Sequence, residues 1–219
     1  RAKGSRWIAG HYGDEFAELH GKQMVLREAL GASIPSAGVG CAFARDALQK
    51  LSVQTQGKPF DANSMTEDYE LGLHLTGGEG RGIFARLQDR HGQWVATQEF
   101  FPDKLEDAIK QKSRWMAGIS LSGWDRLGWK NSWRENWMRL RDRKASFAAI
   151  VLAIAYIAII LIGILLFAQL IGSYRLQPVS SFLGILLFLN GGFLLWRLVM
   201  KFYFVFTPYG LPEGILSIP

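Results

Sequence analysis

The chain has 219 residues and a net charge of +6, with 49% apolar residues and only 20% charged ones. That apolar share excludes a disordered chain, a single cysteine excludes an internal disulfide framework, and one cysteine with four scattered histidines makes no zinc-binding pattern. Residues 1–100 are net −1, residues 101–146 net +5 and residues 147–219 net +2, which argues against a nucleic-acid-binding body and for a basic collar beside a membrane.

From Asp14 to Leu30 the residues Phe16, Leu19, Gln23, Leu26 and Leu30 fall near one helical face, and Gly31 ends the pattern. Ala37 to Phe43 reads as a short glycine-containing strand or loop, and Arg45 to Leu51 as a helix. Thr66 is expected to cap a helix that runs to Leu75, with Glu67 and Asp68 in its first turn, where the helix dipole favours negative charge. Ile83 to Gln88 and Gln93 to Phe100 alternate around Asp89-Arg90-His91-Gly92 and predict a hairpin. Gly77 to Gly82 lacks the Lys-Ser/Thr of a P-loop and reads as the flexible approach to that hairpin. Pro102 is expected to start a helix ending near Trp115.

Trp129, Trp133, Trp137 and Leu140 fall on one helical face, with Lys130, Arg134 and Arg141 off it. This is the pattern of an amphipathic helix lying in a membrane interface; a core stripe is the alternative. Between Lys144 and Arg175 no residue is charged. Phe147 to Ile171 as a helix reaches roughly 37 Å, enough to cross a hydrocarbon core of about 30 Å. A second uncharged run, Leu176 to Trp196, is expected to open its helix at Pro178. The short turn from Gly172 to Gln177 makes the two spans a hairpin. Arg134, Arg139, Arg141, Arg143 and Lys144 lie before it, and Arg197 and Lys201 after it, against Arg175 alone in the turn. Both chain ends are therefore expected in the cytoplasm. Asn190-Gly191-Gly192 reads as close helix packing or as part of a polymer path. The chain opens on Arg1 without an initiator methionine, which is read as the mark of a piece of a longer protein.

Three patches carry chemistry: Gly38 to Leu48, Met65 to Gly72 (with Thr66-Glu67-Asp68), and Gln111-Lys112-Ser113-Arg114-Trp115. Each alone has an ordinary explanation as a glycine turn, a capped helix start, or a packed indole beside a surface cation. In this order, ahead of a membrane span, they resemble the processive, membrane-embedded glycosyltransferases of family 2, the cellulose- and hyaluronan-synthase-like enzymes. Those carry Thr-Glu-Asp, then Gln-x-x-Arg-Trp, then membrane helices. A bacterial branch of that family is also similar in His11 to Phe16, Pro35 to Gly40 and Trp115 to Ile119.

The resemblance covers roughly residues 10–200. It implies an α/β fold: the C-terminal part of a GT-A, Rossmann-like glycosyltransferase domain over residues 1–120, then an amphipathic interfacial region over 121–146. Transmembrane helices over 147–171 and 178–200 and a cytoplasmic tail over 201–219 complete the expected division. The implied reaction is inverting transfer of a sugar from a nucleotide-sugar, a UDP-sugar, to a growing glycan. Asp68 would be the base and Glu67 would orient the site. Gln111 and Arg114 would bind the diphosphate, and Trp115 would stack on the acceptor's terminal sugar. Lys112 stands where many members have Arg, keeping the charge but losing the planar fork. Gly40 and Cys41 would belong to the acceptor-side loop, although Cys41 also reads as a small buried hydrophobe.

Members carry an early Asp for the nucleobase and an Asp-x-Asp for Mg²⁺ or Mn²⁺. No Asp-x-Asp occurs here, so the metal ligands are expected outside this chain and the fragment alone is not expected to catalyse. The implied partners are a nucleotide-sugar donor, a glycan acceptor, the lipid bilayer and an outer-envelope protein, with no nucleic acid. The implied place is the bacterial inner membrane, multi-pass, with the catalytic side cytoplasmic. The reading from another class is a membrane-anchored scaffold or receptor component with a degenerate transferase domain.

Overall fold

The computed structural model describes residues 7–77, 80–97, 99–172, 178 and 180–218. Helix α1 (Ile8–Glu18) runs through a π-helical turn (Leu19–Gln23) into α2 (Met24–Ala29). The first helix thus begins earlier than its apolar pattern predicts, and Gly31 at φ +64° stops it as expected. Next come α3 (Arg45–Gln54), α4 (Glu67–Thr76) and α5 (Leu105–Trp115), which passes into a second π-helical turn (Met116–Ser122). Then follow α6 (Gly123–Leu127), α7 (Trp133–Arg143), α8 (Ala145–Leu170), α9 (Ser181–Tyr209) and α10 (Leu211–Leu216).

No strand occurs among the described residues, so the expected α/β, Rossmann-like layering is not seen in them. The turn of the predicted hairpin is there. The Asp89 N–H donates to the Gln93 carbonyl at 2.8 Å, the Val95 N–H donates to the Leu87 carbonyl at 2.9 Å, and the Asp89 carboxylate accepts from the His91 and Gln93 amides. Pairing ends at one bridge, Gln88 to Trp94. Ile83, Leu87, Trp94 and Val95 are all exposed, so no sheet or helix covers the apolar face that would sustain a ladder.

Two helix starts differ from expectation in place, and a third, that of α4, in its cap alone. Thr66 precedes α4, but its side chain makes no capping hydrogen bond. Pro102 lies outside α5, which begins after Lys104 in extended conformation. Ser180, not Pro178, opens α9, its side chain accepting from the Leu183 N–H at 3.3 Å. Ser173 to Gln177, most of the turn between the apolar helices, lies outside the described residues.

Helix α4 sits at the centre of the polar half, with Tyr69, Leu71 and Leu73 buried. Gly72 lets it lie directly on the segment before Ala37: a Cβ there would stand 2.6 Å from the Pro35 carbonyl carbon and 2.8 Å from the Ile34 oxygen. Helix α7 packs with Glu135, Met138, Arg139 and Arg143 inward. Trp133 and Trp137 face outward, 69% and 50% exposed, so neither packs into this chain's own core.

Helices α8 and α9 have 26 and 29 residues, lengths of about 39 and 43 Å, and their most apolar stretches bury nothing against the protein. Helix α9 passes through Asn190-Gly191-Gly192 without a break and continues beyond Lys201 to Tyr209. The residues expected as a tail therefore complete a helix and fold back. Gly210, at φ +84°, turns the chain into α10, whose Gly214 approaches Phe202 and Phe206 of α9. The lower part of α9 leans on α1: Arg197 donates to Glu18 at 2.6 Å, and Phe204 covers Gly21.

Candidate active site

The site is built where α4 begins. Asp68 turns one carboxylate oxygen onto the Tyr69 N–H at 2.8 Å. Its other oxygen faces the loop before α3, where a Cβ on Gly38 would lie 2.9 Å away. Gly38 (φ +76°) and Gly40 (φ +64°) adopt backbone conformations that other residues resist, and the loop depends on them to fold back over α4. Ser36 Oγ accepts from the Gly38 N–H at 3.3 Å and lies 3.2 Å from Cys41 Sγ. Cys41 is exposed, so its reading as a buried hydrophobe fails. Gly40 packs against Thr97.

The Gln111–Trp115 end of α5 is set by aromatic residues of α1. Tyr12 is buried, donates to the Ala108 carbonyl at 3.4 Å, stacks on Phe101 at 4.8 Å and meets Trp115 edge-on at 6.0 Å. Phe16 takes the other side of Trp115 at 6.3 Å. Lys112 pairs with Glu15 and holds its ammonium 4.6 Å from the Tyr12 ring centre. Gln111 buries its side-chain oxygen without a hydrogen-bond partner among the described residues. Arg114 is exposed and makes no ion pair among those residues, so its planar cation is available to an anion.

The π-helical turn after Trp115 brings Gly118 to Thr66, where a Cβ would stand 2.6 Å from the Thr66 oxygen. The structure thus joins the glycine loop to α4 at Gly38 and Asp68, and α4 to the end of α5 at Thr66 and Gly118. Glu67 is exposed and turns to a separate cleft, lined also by Lys58, Asp61, Glu70, His74 and Arg126.

These carboxylates do not fit a divalent cation. Glu15 is taken by Lys112, Glu70 by Arg126, and no three His, Cys, Asp or Glu residues stand together among the described residues.

The sequence reasoning missed the polar cluster beneath α4. Asp142 of α7 accepts from Tyr69 Oη at 2.6 Å and from Arg27 at 2.5 and 2.6 Å. Arg27, 3% exposed, also donates to the Ser33 carbonyl at 2.8 Å. Glu135 of α7 accepts from the Ser33 N–H at 2.7 Å and from Arg139 at 3.0 Å. Arg143 lies between the Trp124 and Trp129 rings, at 5.1 and 4.9 Å. One sign was present in the sequence: Asp142 is the acid inside the basic run Arg139-Leu140-Arg141-Asp142-Arg143.

Residues 2–209 match the family described as Glycosyl transferase family group 2. The chain is 35% identical to Bacteriophage adsorption protein B of Escherichia coli (strain K12), over 94% of this chain and 31% of that protein. It is equally similar to Bacteriophage N4 adsorption protein B of Escherichia coli O157:H7, with the same coverage. The chain thus spans about a third of the length of the curated relatives it matches. No solved structure matches it. A family match over residues 2–209, nearly the whole chain, makes this chain a member of family group 2 of the glycosyltransferases.

Proposed function

We propose that the protein containing this chain transfers a sugar from a UDP-sugar to a glycan at the bacterial inner membrane, with inversion. Asp68 takes the proton of the acceptor hydroxyl. The oxygen attacks the anomeric carbon from the face opposite the diphosphate, and the nucleoside diphosphate leaves with the bonding electrons. Arg114 and Gln111 meet the negative charge that develops on that leaving group, and Trp115 offers its indole to the acceptor sugar. Lys112, engaged with Glu15, holds α5 to α1 while adding positive charge nearby.

The observation that supports this reading best is the double junction of Gly38 with Asp68 and of Thr66 with Gly118, which brings the glycine loop and the turn after Trp115 to the start of α4. Helices α8 and α9 are read as a membrane hairpin with α7 in the cytoplasmic interface, the basic collar facing anionic lipid. The donor and metal sites are read as lying in the rest of the protein.

The test is Asp68→Asn in the full-length protein, which conserves shape and removes the base. Loss of the base lowers kcat for glycan synthesis by about 10²-fold or more at unchanged expression. Wild-type synthesis overturns the assignment. The relatives' names, which refer to bacteriophage adsorption, favour a second reading as a receptor scaffold. A scaffold keeps full phage adsorption in the Asp68→Asn variant, whereas a synthesised glycan receptor loses it.

A further inference from the structure

Helix α7 holds both partners of the contact at Asp68. On one side Asp142 fixes Tyr69 of α4, whose own N–H is bonded to the Asp68 carboxylate. On the other side Asp142 binds Arg27, which holds the Ser33 carbonyl, while Glu135 holds the Ser33 N–H. Ser33 leads directly into Pro35, Ser36 and Gly38, the loop that lies over Asp68. The carboxylate of Asp142 is 14% exposed and that of Glu135 8%, so these bonds act largely out of water. The outer face of the same helix carries the exposed Trp133 and Trp137.

We propose that Asp142 is a positioning residue for Asp68, clamping the start of α4 and the base of the glycine loop to α7 so that the Asp68 carboxylate keeps its place under Gly38. This rests on the reading of Asp68 as the base for its chemical meaning, but the clamp itself is a matter of geometry. Asp142 touches no reacting atom; it acts through Tyr69 and Arg27.

Cys41 gives a readout that needs no substrate. It is the sole cysteine of the chain, exposed, at the far end of the clamped loop. N-ethylmaleimide labelling of Cys41 in the full-length protein in lipid vesicles, with any cysteine outside this chain replaced by serine, therefore reports how firmly the loop is held. Asp142→Asn and the milder Tyr69→Phe, which removes a single hydroxyl, each raise the labelling rate about threefold or more, and the double variant exceeds the larger single effect by little, because both break one linkage. Asp142→Glu, which keeps the charge, recovers part of the wild-type rate. In the full-length protein the same two variants lower kcat about tenfold with KM within about twofold, the split expected when a base is misplaced and binding is kept.

Wild-type labelling in folded Asp142→Asn and Tyr69→Phe, judged by an unchanged unfolding midpoint, overturns the clamp. Faster labelling with wild-type kcat overturns the positioning role while leaving the clamp. Faster labelling alongside an active Asp68→Asn protein instead removes the base reading alone.

Discussion

At the scale of residues the site depends on small atoms in close places. Gly38→Ala adds a Cβ 2.9 Å from the Asp68 carboxylate at a backbone φ of +76°. The left-handed conformation alone costs about 1–2 kcal/mol, and the methyl pushes the carboxylate aside. The expected outcome is a fall in kcat larger than the loss in stability explains, read by turnover beside chemical denaturation of the full-length protein. Glu135 supplies a pH dependence. Burial pushes its carboxyl up, but the Ser33 amide and Arg139 outweigh that and hold it below its ordinary value of 4.5. The unfolded chain therefore takes up this proton first, so the contribution is fully present above about pH 4.5 and is lost as pH falls through the folded value. Glu135→Gln is expected to flatten the acid limb of stability against pH, measured by unfolding midpoints between neutral and acid pH. Asp68, Gln111, Arg114 and Trp115 stand as candidates from the sequence because each sits in a short contiguous motif. Asp142 does not, because its partner Arg27 is 115 residues away and a local pattern carries no such distance.

At the scale of elements, α4 and α7 show how much a face decides. Helix α4 is seated by Gly72, and Gly72→Ala is expected to destabilise by about 1–3 kcal/mol, since the added methyl meets backbone that cannot rotate away. Helix α7 reverses the usual amphipathic order: its inner face carries charges that bind Ser33, the Leu127 and Gly128 carbonyls and one another, and its outer face carries indoles. Met138→Ala, on the inner face at 2% exposure, is expected to cost about 2–5 kcal/mol, whereas Trp133→Ala on the outer face stays within about 0.5 kcal/mol. Denaturant unfolding of the two variants separates a membrane-facing indole stripe from a packed one. The spacing of Trp133, Trp137 and Leu140 was enough to find this helix, because helical periodicity is a local property; Trp129, expected on the same face, lies in the loop before it, against Trp124 and Arg143. The strands were not found where the alternation of Ile83 to Phe100 put them, because alternation prepares a strand but only a partner completes one. The single bridge at Gln88 and Trp94 shows the turn succeeding where the ladder has nothing to join.

At the scale of the whole molecule, the polar half and the apolar helix α9 are held together on one side. Arg197, at the lower end of the apolar part of α9, binds Glu18, and Lys22 adds a second cation to the same carboxylate. Burial raises the Glu18 carboxyl, but the two cations prevail and hold it below its ordinary value. That junction and the connection through α7 into α8 fix which ends of α9 and α8 lie beside the site. The proposed orientation, which rests on the basic collar before α8 and the cations at Arg197 and Lys201, puts Cys41 on the cytoplasmic side and Ile171, at the opposite end of α8, outside. The orientation can be read with a membrane-impermeant maleimide. In inverted inner-membrane vesicles it is expected to label Cys41 and to leave a cysteine placed at position 171 in a Cys41→Ser background untouched; in right-side-out vesicles the two results exchange. Labelling of both positions from one side means that α8 does not cross the bilayer. Labelling of each from the wrong side means that the basic collar faces outward, which breaks the link between the charge distribution and the place of the site.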